Sequence, residues 1–113
     1  MLNEIEKKAI EELIEKLKLI YGDNLVKVIL YGSKARGDST EDSDIDIMVV
    51  LKNFDKWEDE FNKIFDIVYE VETKYDYEVL ISFIIKSQIE FNISNMPLML
   101  NVKDEGINLW MRE

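Results

Sequence analysis

Gly32-Ser33-Lys34-Ala35-Arg36-Gly37 follows an apolar run over residues 25–31, and Asp44-Ile45-Asp46 heads a second apolar run that ends at Leu51. The β-branched, apolar content of both runs predicts buried strands over 25–31 and 44–51. Residues 32–37 predict a turn that opens a short helix, and the polar residues 38–43 predict a loop. A glycine ending a strand lets the backbone bend sharply and lets a ligand come close. Ser33 offers a hydroxyl and a backbone N–H. First-turn N–H groups of a helix starting there would favour an anion, and Lys34 or Arg36 could add positive charge. A Gly-Ser turn alone is not specific. The run also lacks the Gly-Lys-Ser/Thr of a P-loop.

The acid pair is read the same way. Residues two apart on a strand share a face, so Asp44 and Asp46 project together while Ile45 and Ile47 face a core. Two adjacent carboxylates repel, and one tends to protonate unless a cation is present. The apolar residues that follow make this an expensive place for uncompensated charge. Mg²⁺ takes oxygen ligands, typically one or two carboxylates plus substrate phosphates, and would relieve the cost. The bland alternative is a strand edge with solvated acids. Asp-x-Asp also occurs in haloacid-dehalogenase-type phosphatases, where the pair follows the apolar strand, and in glycosyltransferases, which need a far longer chain.

Around this core the pattern is α-β-α-β-α-β-α-α. Leu2, Ile5, Ala9, Leu13, Leu17 and Ile20 recur at steps of three and four and predict a helix over 2–20, capped by Gly22. Phe54, Trp57, Phe61, Ile64, Phe65, Val68 and Val71 predict a second long helix, with Trp57, Phe61 and Phe65 in the core. Residues 77–85 predict a third strand. Ser87 with Glu90 predicts a capped short helix over 87–93. Met96-Pro97 is a break, and 98–111 predict a last helix, interrupted near Gly106. The expectation is an α/β (α+β) mixed sheet of three or more strands, covered by helices mainly on one face.

Bulk properties narrow the function. The 113 residues suit a single domain, residues 1–113, able to bury one core. No apolar run reaches the ~20 residues of a spanning helix. Cysteine is absent, which excludes a disulfide framework and a thiolate zinc site. A cytoplasmic protein is expected. The net charge of −10 argues against extended nucleic-acid binding, which depends on clustered Lys and Arg. Histidine is absent too, so any general base is a carboxylate, a perturbed Lys or Tyr, or a metal-bound group.

The joint pattern over residues 32–46, Gly-Ser, Ala-Arg-Gly, then Ser43-Asp44-x-Asp46 entering a strand, resembles the nucleotidyltransferase superfamily related to DNA polymerase β. It is most similar to the minimal nucleotidyltransferases, of the antitoxin type paired with HEPN-domain toxins. That resemblance implies a nucleotidyltransferase fold and a catalytic set of Asp44, Asp46 and a third carboxylate. The same three groups would be the metal ligands for Mg²⁺, as two ions. Gly32, Ser33, Arg36 and Ser43 would bind the nucleotide, with ATP as substrate. The third carboxylate is Glu78, within the expected third strand, or Asp76 at its entry, or is absent. The resemblance further implies transfer of AMP to a tyrosine hydroxyl of a HEPN toxin partner, in a homo- or hetero-oligomer. Two alternatives stay open: neutralising a partner by binding alone, and nucleotidyl transfer to a small molecule. Phe91, Met96, Leu98, Met99, Leu100, Leu109, Trp110 and Met111 form an apolar C-terminal third, expected mostly in the core. Tyr69, Tyr75 and Tyr77 are expected as ordinary half-buried tyrosines.

Overall fold

The computed structural model describes residues 2–40 and 43–113; Glu41 and Asp42 of the quoted run lie outside the described residues. Helix α1 spans Glu4–Tyr21 and starts with a capping box. The Asn3 side chain accepts from the Glu6 N–H, and Glu6 Oε1 accepts from the Asn3 N–H, at 2.8 and 2.9 Å. Two otherwise unpaired donors are thereby satisfied. Gly22 closes the helix as expected, its N–H donating to Lys18 O. The buried stripe is Ala9, Ile10, Leu13, Ile14 and Leu17, so Ile5 and Ile20, expected inside, stand exposed.

Strand β1 is Leu25–Tyr31, α2 is Ser33–Arg36 and β2 is Ile45–Leu51. Helix α3 spans Trp57–Lys74, β3 Ile81–Ser87, α4 Gln88–Ile93, α5 Pro97–Glu105 and β4 Ile107–Met111. The sheet order is β3-β2-β1-β4. β1 is antiparallel to both β2 and β4, and β2 is parallel to β3, so the sheet is mixed. The larger core lies between one sheet face and α1 and α3, around Leu13, Ile47 and Ile64. A smaller cluster of Met48, Val50, Phe91, Met99 and Val102 packs on the other face. That parity puts Asp46, which alternates with Ile45 and Ile47, on the face shared with Met48. Among the described residues no helix is long and apolar enough to cross a membrane.

Four expectations about element bounds and the packing of α3 are corrected. β2 starts at Ile45, with Asp44 just ahead of it. β3 starts at Ile81, not at residue 77, because Asp76 and Tyr77 adopt positive φ, 52° and 60°. The Glu72 carboxylate then takes the first strand N–H, from Ile81, at 2.9 Å. The last expected helix is instead α5 plus β4. Gly106 ends α5 by donating to Val102 O, and a Cβ there would press on Ile29 Cγ2 at 2.7 Å. The chain then turns onto the free edge of β1, whose backbone groups need partners. The Arg112 side chain fastens this return through Leu25 O and Gly22 O.

The aromatic row is the fourth. Trp57 and Phe65 are half exposed, 49% and 50%, because Ile64, Ile67, Val68 and Val71 take the core-facing stripe of α3. The rings instead stack from Trp57 through Phe61 to Phe65, and Phe61 leans on Phe83 of β3 at 5.1 Å. At the C-terminus, Phe91 and Met99 are buried, whereas Met96, Leu98, Leu100 and Met111 are exposed. Tyr69 and Tyr77 are also exposed. Ile47 has no exposed surface. Ile47→Ala is therefore expected to cost ~2–5 kcal/mol, read as a lower urea midpoint with an unchanged slope.

Candidate active site

The site forms where β1 ends and β2 begins. Tyr31 pairs with Asp46 across the antiparallel ladder, so the residue after Tyr31 lies beside the acid pair. That residue is Gly32, with φ 75° and ψ −158°. This backbone suits glycine. A Cβ on Gly32 would collide with Asp46 Oδ2. The bare α-carbon is thus what lets turn and carboxylate meet. The Gly32 carbonyl accepts from the Ala35 and Arg36 N–H groups, both at 3.1 Å, which winds α2 directly off the strand. Gly37 closes it with φ 84°, donating to Ser33 O.

Lys34, a possible phosphate ligand by sequence, has another role. It is buried, and its Nζ lies 2.9 Å from Glu6 Oε2. Glu6 thus uses one oxygen for the α1 capping box and the other to hold the turn. Sequence reading missed Glu6 at this site, although Asn3-x-x-Glu6 is a legible capping box. Arg36 donates to Asp38 Oδ2 at 3.2 Å and to Glu105 Oε2 at 3.4 Å, and its guanidinium is partly exposed. Those carboxylates push its pKa up, Asp38 first. Arg36 is therefore a charge on the rim of the site. The Ser43 hydroxyl accepts from the Thr40 N–H at 2.9 Å and braces the loop before Asp44.

Asp44 is exposed and Asp46 half-buried. Burial, then the charge of Asp44, pushes the Asp46 carboxyl above its usual range, and Arg36 partly offsets this. Burial, then Asp46, also raises the Tyr31 hydroxyl. The pair acts as a local excess of negative charge with hard oxygen donors, which suits one divalent ion such as Mg²⁺. Glu78 lies in the bend ahead of β3, its N–H donating to Tyr75 O. Among the described residues no group of three His, Cys, Asp or Glu could hold a metal. Beside Asp46 on β3 stands Ser82, at the paired register position. The sequence places Glu78, Leu80 and Ser82 on one strand face, but the parallel register that selects Ser82 is not written in it.

The chain resembles known proteins in sequence and in fold. The model of the "Nucleotidyltransferase domain" family matches residues 7–104. The curated "Putative protein adenylyltransferase MJ0604" of Methanocaldococcus jannaschii is 39% identical over 102 residues, 89% of this chain and 94% of that protein. The crystal structure of "a putative nucleotidyltransferase from Sulfolobus solfataricus" superposes with a TM-score of 0.69 at 22% identity, over 95% of this chain and 81% of that one. A toxin–antitoxin structure with AMP-PNP gives 0.61 at 20% identity, over 91% and 74%. The tri-AMPylated Shewanella oneidensis HEPN toxin in complex with MNT antitoxin gives 0.50 at 18% identity, over 96% and 71%. At these identities the structures share the fold.

Two stability outcomes follow. Lys34→Met leaves the Glu6 carboxylate buried without its cation and is expected to cost ~3–5 kcal/mol, measured by urea unfolding. Adding Glu6→Gln should recover part of that loss. For Asp46 the folded state holds a proton more tightly than the unfolded chain, so ionisation costs stability as pH rises through and above the usual carboxylate range. Asp46→Asn should therefore raise Tm near neutral pH without divalent ions. The gain should fade below about pH 4, and a pH-independent difference would contradict it.

Proposed function

The chain belongs to the nucleotidyltransferase domain family, and we propose that it is a Mg²⁺-dependent protein adenylyltransferase. Its reaction is the transfer of AMP from ATP to a tyrosine hydroxyl of a HEPN-domain toxin, with this chain acting as the antitoxin in the cytoplasm. The observation that carries the nucleotidyl-transfer part is the contact of Gly32 with Asp46, which merges a phosphate-type turn and a metal-type acid pair into one site. The adenylyl and protein-acceptor parts are supported by the 39% identity to the Methanocaldococcus protein over nearly its whole length. The toxin partner is supported by the shared fold of the toxin–antitoxin complexes.

The residues divide the work as follows. Gly32 clears space for the triphosphate, and the Ser33 hydroxyl and N–H bind its β- and γ-phosphates at the start of α2. Arg36 balances charge from the rim, held in place by Asp38 and Glu105. Ser43 fixes the approach to Asp44. Asp44 and Asp46 would hold the ion. When bound, that ion supplies charge neutralisation on the phosphates and stabilises the leaving pyrophosphate. With no histidine in the chain, proton uptake by a neutral imidazole is excluded.

The test is incubation with ATP labelled at the α-phosphate, Mg²⁺ and a HEPN-domain protein. Wild type should label the partner, and Asp44→Asn should lower the label at least ~100-fold, as loss of a transition-state charge contact does. Neutralisation of the toxin without label, retained in Asp44→Asn, would mean binding alone.

A further inference from the structure

A second cluster of charge lies away from the acid pair, toward the start of β1 and on the sheet face covered by α4 and α5. Lys27 of β1 and Lys103 of α5 both reach the ring of Phe91 on α4, with their Nζ atoms 4.7 and 5.4 Å from its centroid. Phe91 is buried, so the ring is a fixed platform, and its negative π face attracts each ammonium. Lys103 Nζ is held further by donating to Asn92 O at 3.3 Å. Beside the two cations opens a cleft of about 250 Å³, lined by Lys27, Lys103, Phe91 and Asn108, with Ile29 and Val102 next to them. Asn108 stands in register with Ile29 across the β1–β4 ladder. Its amide nitrogen meets Met111 Sδ, a weak acceptor, at 3.8 Å, so a better acceptor in the cleft would take the donor.

Like charges converge here without an opposing one. The chain is acidic, and most of its cations sit against carboxylates, among them Lys16 with Glu70 and Lys74 with Glu12. Among the described residues neither Lys27 nor Lys103 has an ion-pair partner. Glu90, next to Phe91, pairs with Lys86 and accepts from the Ser87 N–H, and Glu105 pairs with Arg36. No carboxylate lines the cleft among the described residues. Two ammoniums gathered on one ring repel each other, and an anion between them removes that cost. We infer that the cleft is a phosphate-binding site separate from the acid pair: Lys27 and Lys103 hold one phosphate dianion, and the Asn108 amide donates a further hydrogen bond to it. Lysine at both positions supports phosphate. An ammonium is a compact point charge with three donors that suits a tetrahedral oxyanion, whereas a planar carboxylate is matched best by an arginine fork. The size of the cleft sets a limit. At about 250 Å³ it falls below the ~300 Å³ at which pockets begin to enclose a whole small-molecule ligand, so it takes the phosphate group alone. That group is either the free ion or the terminal phosphate of a molecule whose remainder stays in solvent.

The experiment is an amide correlation NMR titration of the full chain without divalent ions, at an ionic strength held constant with chloride. The probes are inorganic phosphate and glycerol phosphate, each added to wild type, Lys27→Met, Lys103→Met, Lys8→Met and Ser33→Ala. Wild type should show saturable shifts at the amides of Lys27, Phe91, Lys103 and Asn108. Lys27→Met and Lys103→Met should each weaken that binding at least ~10-fold, the effect of losing one charge-assisted contact. Lys103→Met alters an exposed side chain and keeps the test decisive where Lys27→Met disturbs β1. Lys8→Met, which removes a cation elsewhere, and Ser33→Ala, in the turn beside the acid pair, should leave the shifts at these four residues unchanged. Equal binding of both probes supports the site and assigns it the terminal phosphate of a larger molecule, and binding of inorganic phosphate alone supports it and assigns the free ion. Saturation by neither probe would overturn the inference. So would equal weakening in Lys8→Met, which would reduce the effect to net charge. Shifts confined to residues 33–36 that vanish in Ser33→Ala would place the phosphate at the turn and overturn it as well.

Discussion

The contact between the bare α-carbon of Gly32 and the Asp46 carboxylate is the constraint on which the site depends. It exists because β1 and β2 are antiparallel with Tyr31 opposite Asp46. A slip of one residue would turn Asp46 toward the core and Ile45 toward the site. The register is secured by the buried alternation of Ile45, Ile47 and Val49 against α1 and α3. The same hydrophobic packing that stabilises the domain therefore aligns the turn with the acids. The cost is an Asp46 carboxylate whose charge is disfavoured by burial and then by Asp44, a cost that a bound cation would offset.

A second tie acts from behind. Glu6 joins the N-terminus of α1 to Lys34 inside the turn, and both side chains are nearly excluded from water. A buried pair of this kind contributes little net stability over an apolar replacement, but breaking it on one side is costly. Its effect is geometric: α2 is only four residues long and cannot hold its own orientation. The sequence places Lys34 in a phosphate turn and suggests a phosphate ligand. Burial reassigns its charge to the scaffold and leaves Arg36 as the cation at the rim.

Much of the fold is legible because its signals are local. The strand over 25–31, the strand expected over 44–51 and found from Ile45, the capping box at Ser87 and Glu90, and the Gly22 cap all follow from short-range chemistry. The failures are non-local. Residues 107–111 carry a pattern compatible with a helix, and only the open edge of β1 decides for a strand. Trp57 and Phe65 have core-like composition, yet the aliphatic row of α3 outcompetes them for the sheet. In the site, Gly32, Ser33, Asp44 and Asp46 stand out in the sequence only as a joint pattern read through a family resemblance, and the structure brings Gly32 against Asp46. Glu6 and Ser82 do not stand out, since one arrives from a distant helix and the other through a parallel register set by the α3–β3 crossover.

The central claim is that one site joins the turn at Gly32–Ser33 to the pair Asp44–Asp46. Anomalous diffraction from crystals grown with Mn²⁺ and AMP-PNP tests it most directly. The account predicts a Mn²⁺ peak within coordination distance of both carboxylates, with the β- and γ-phosphates against Ser33. A Mn²⁺–nucleotide complex bound elsewhere on the protein, with the acid pair contacting neither, would contradict it.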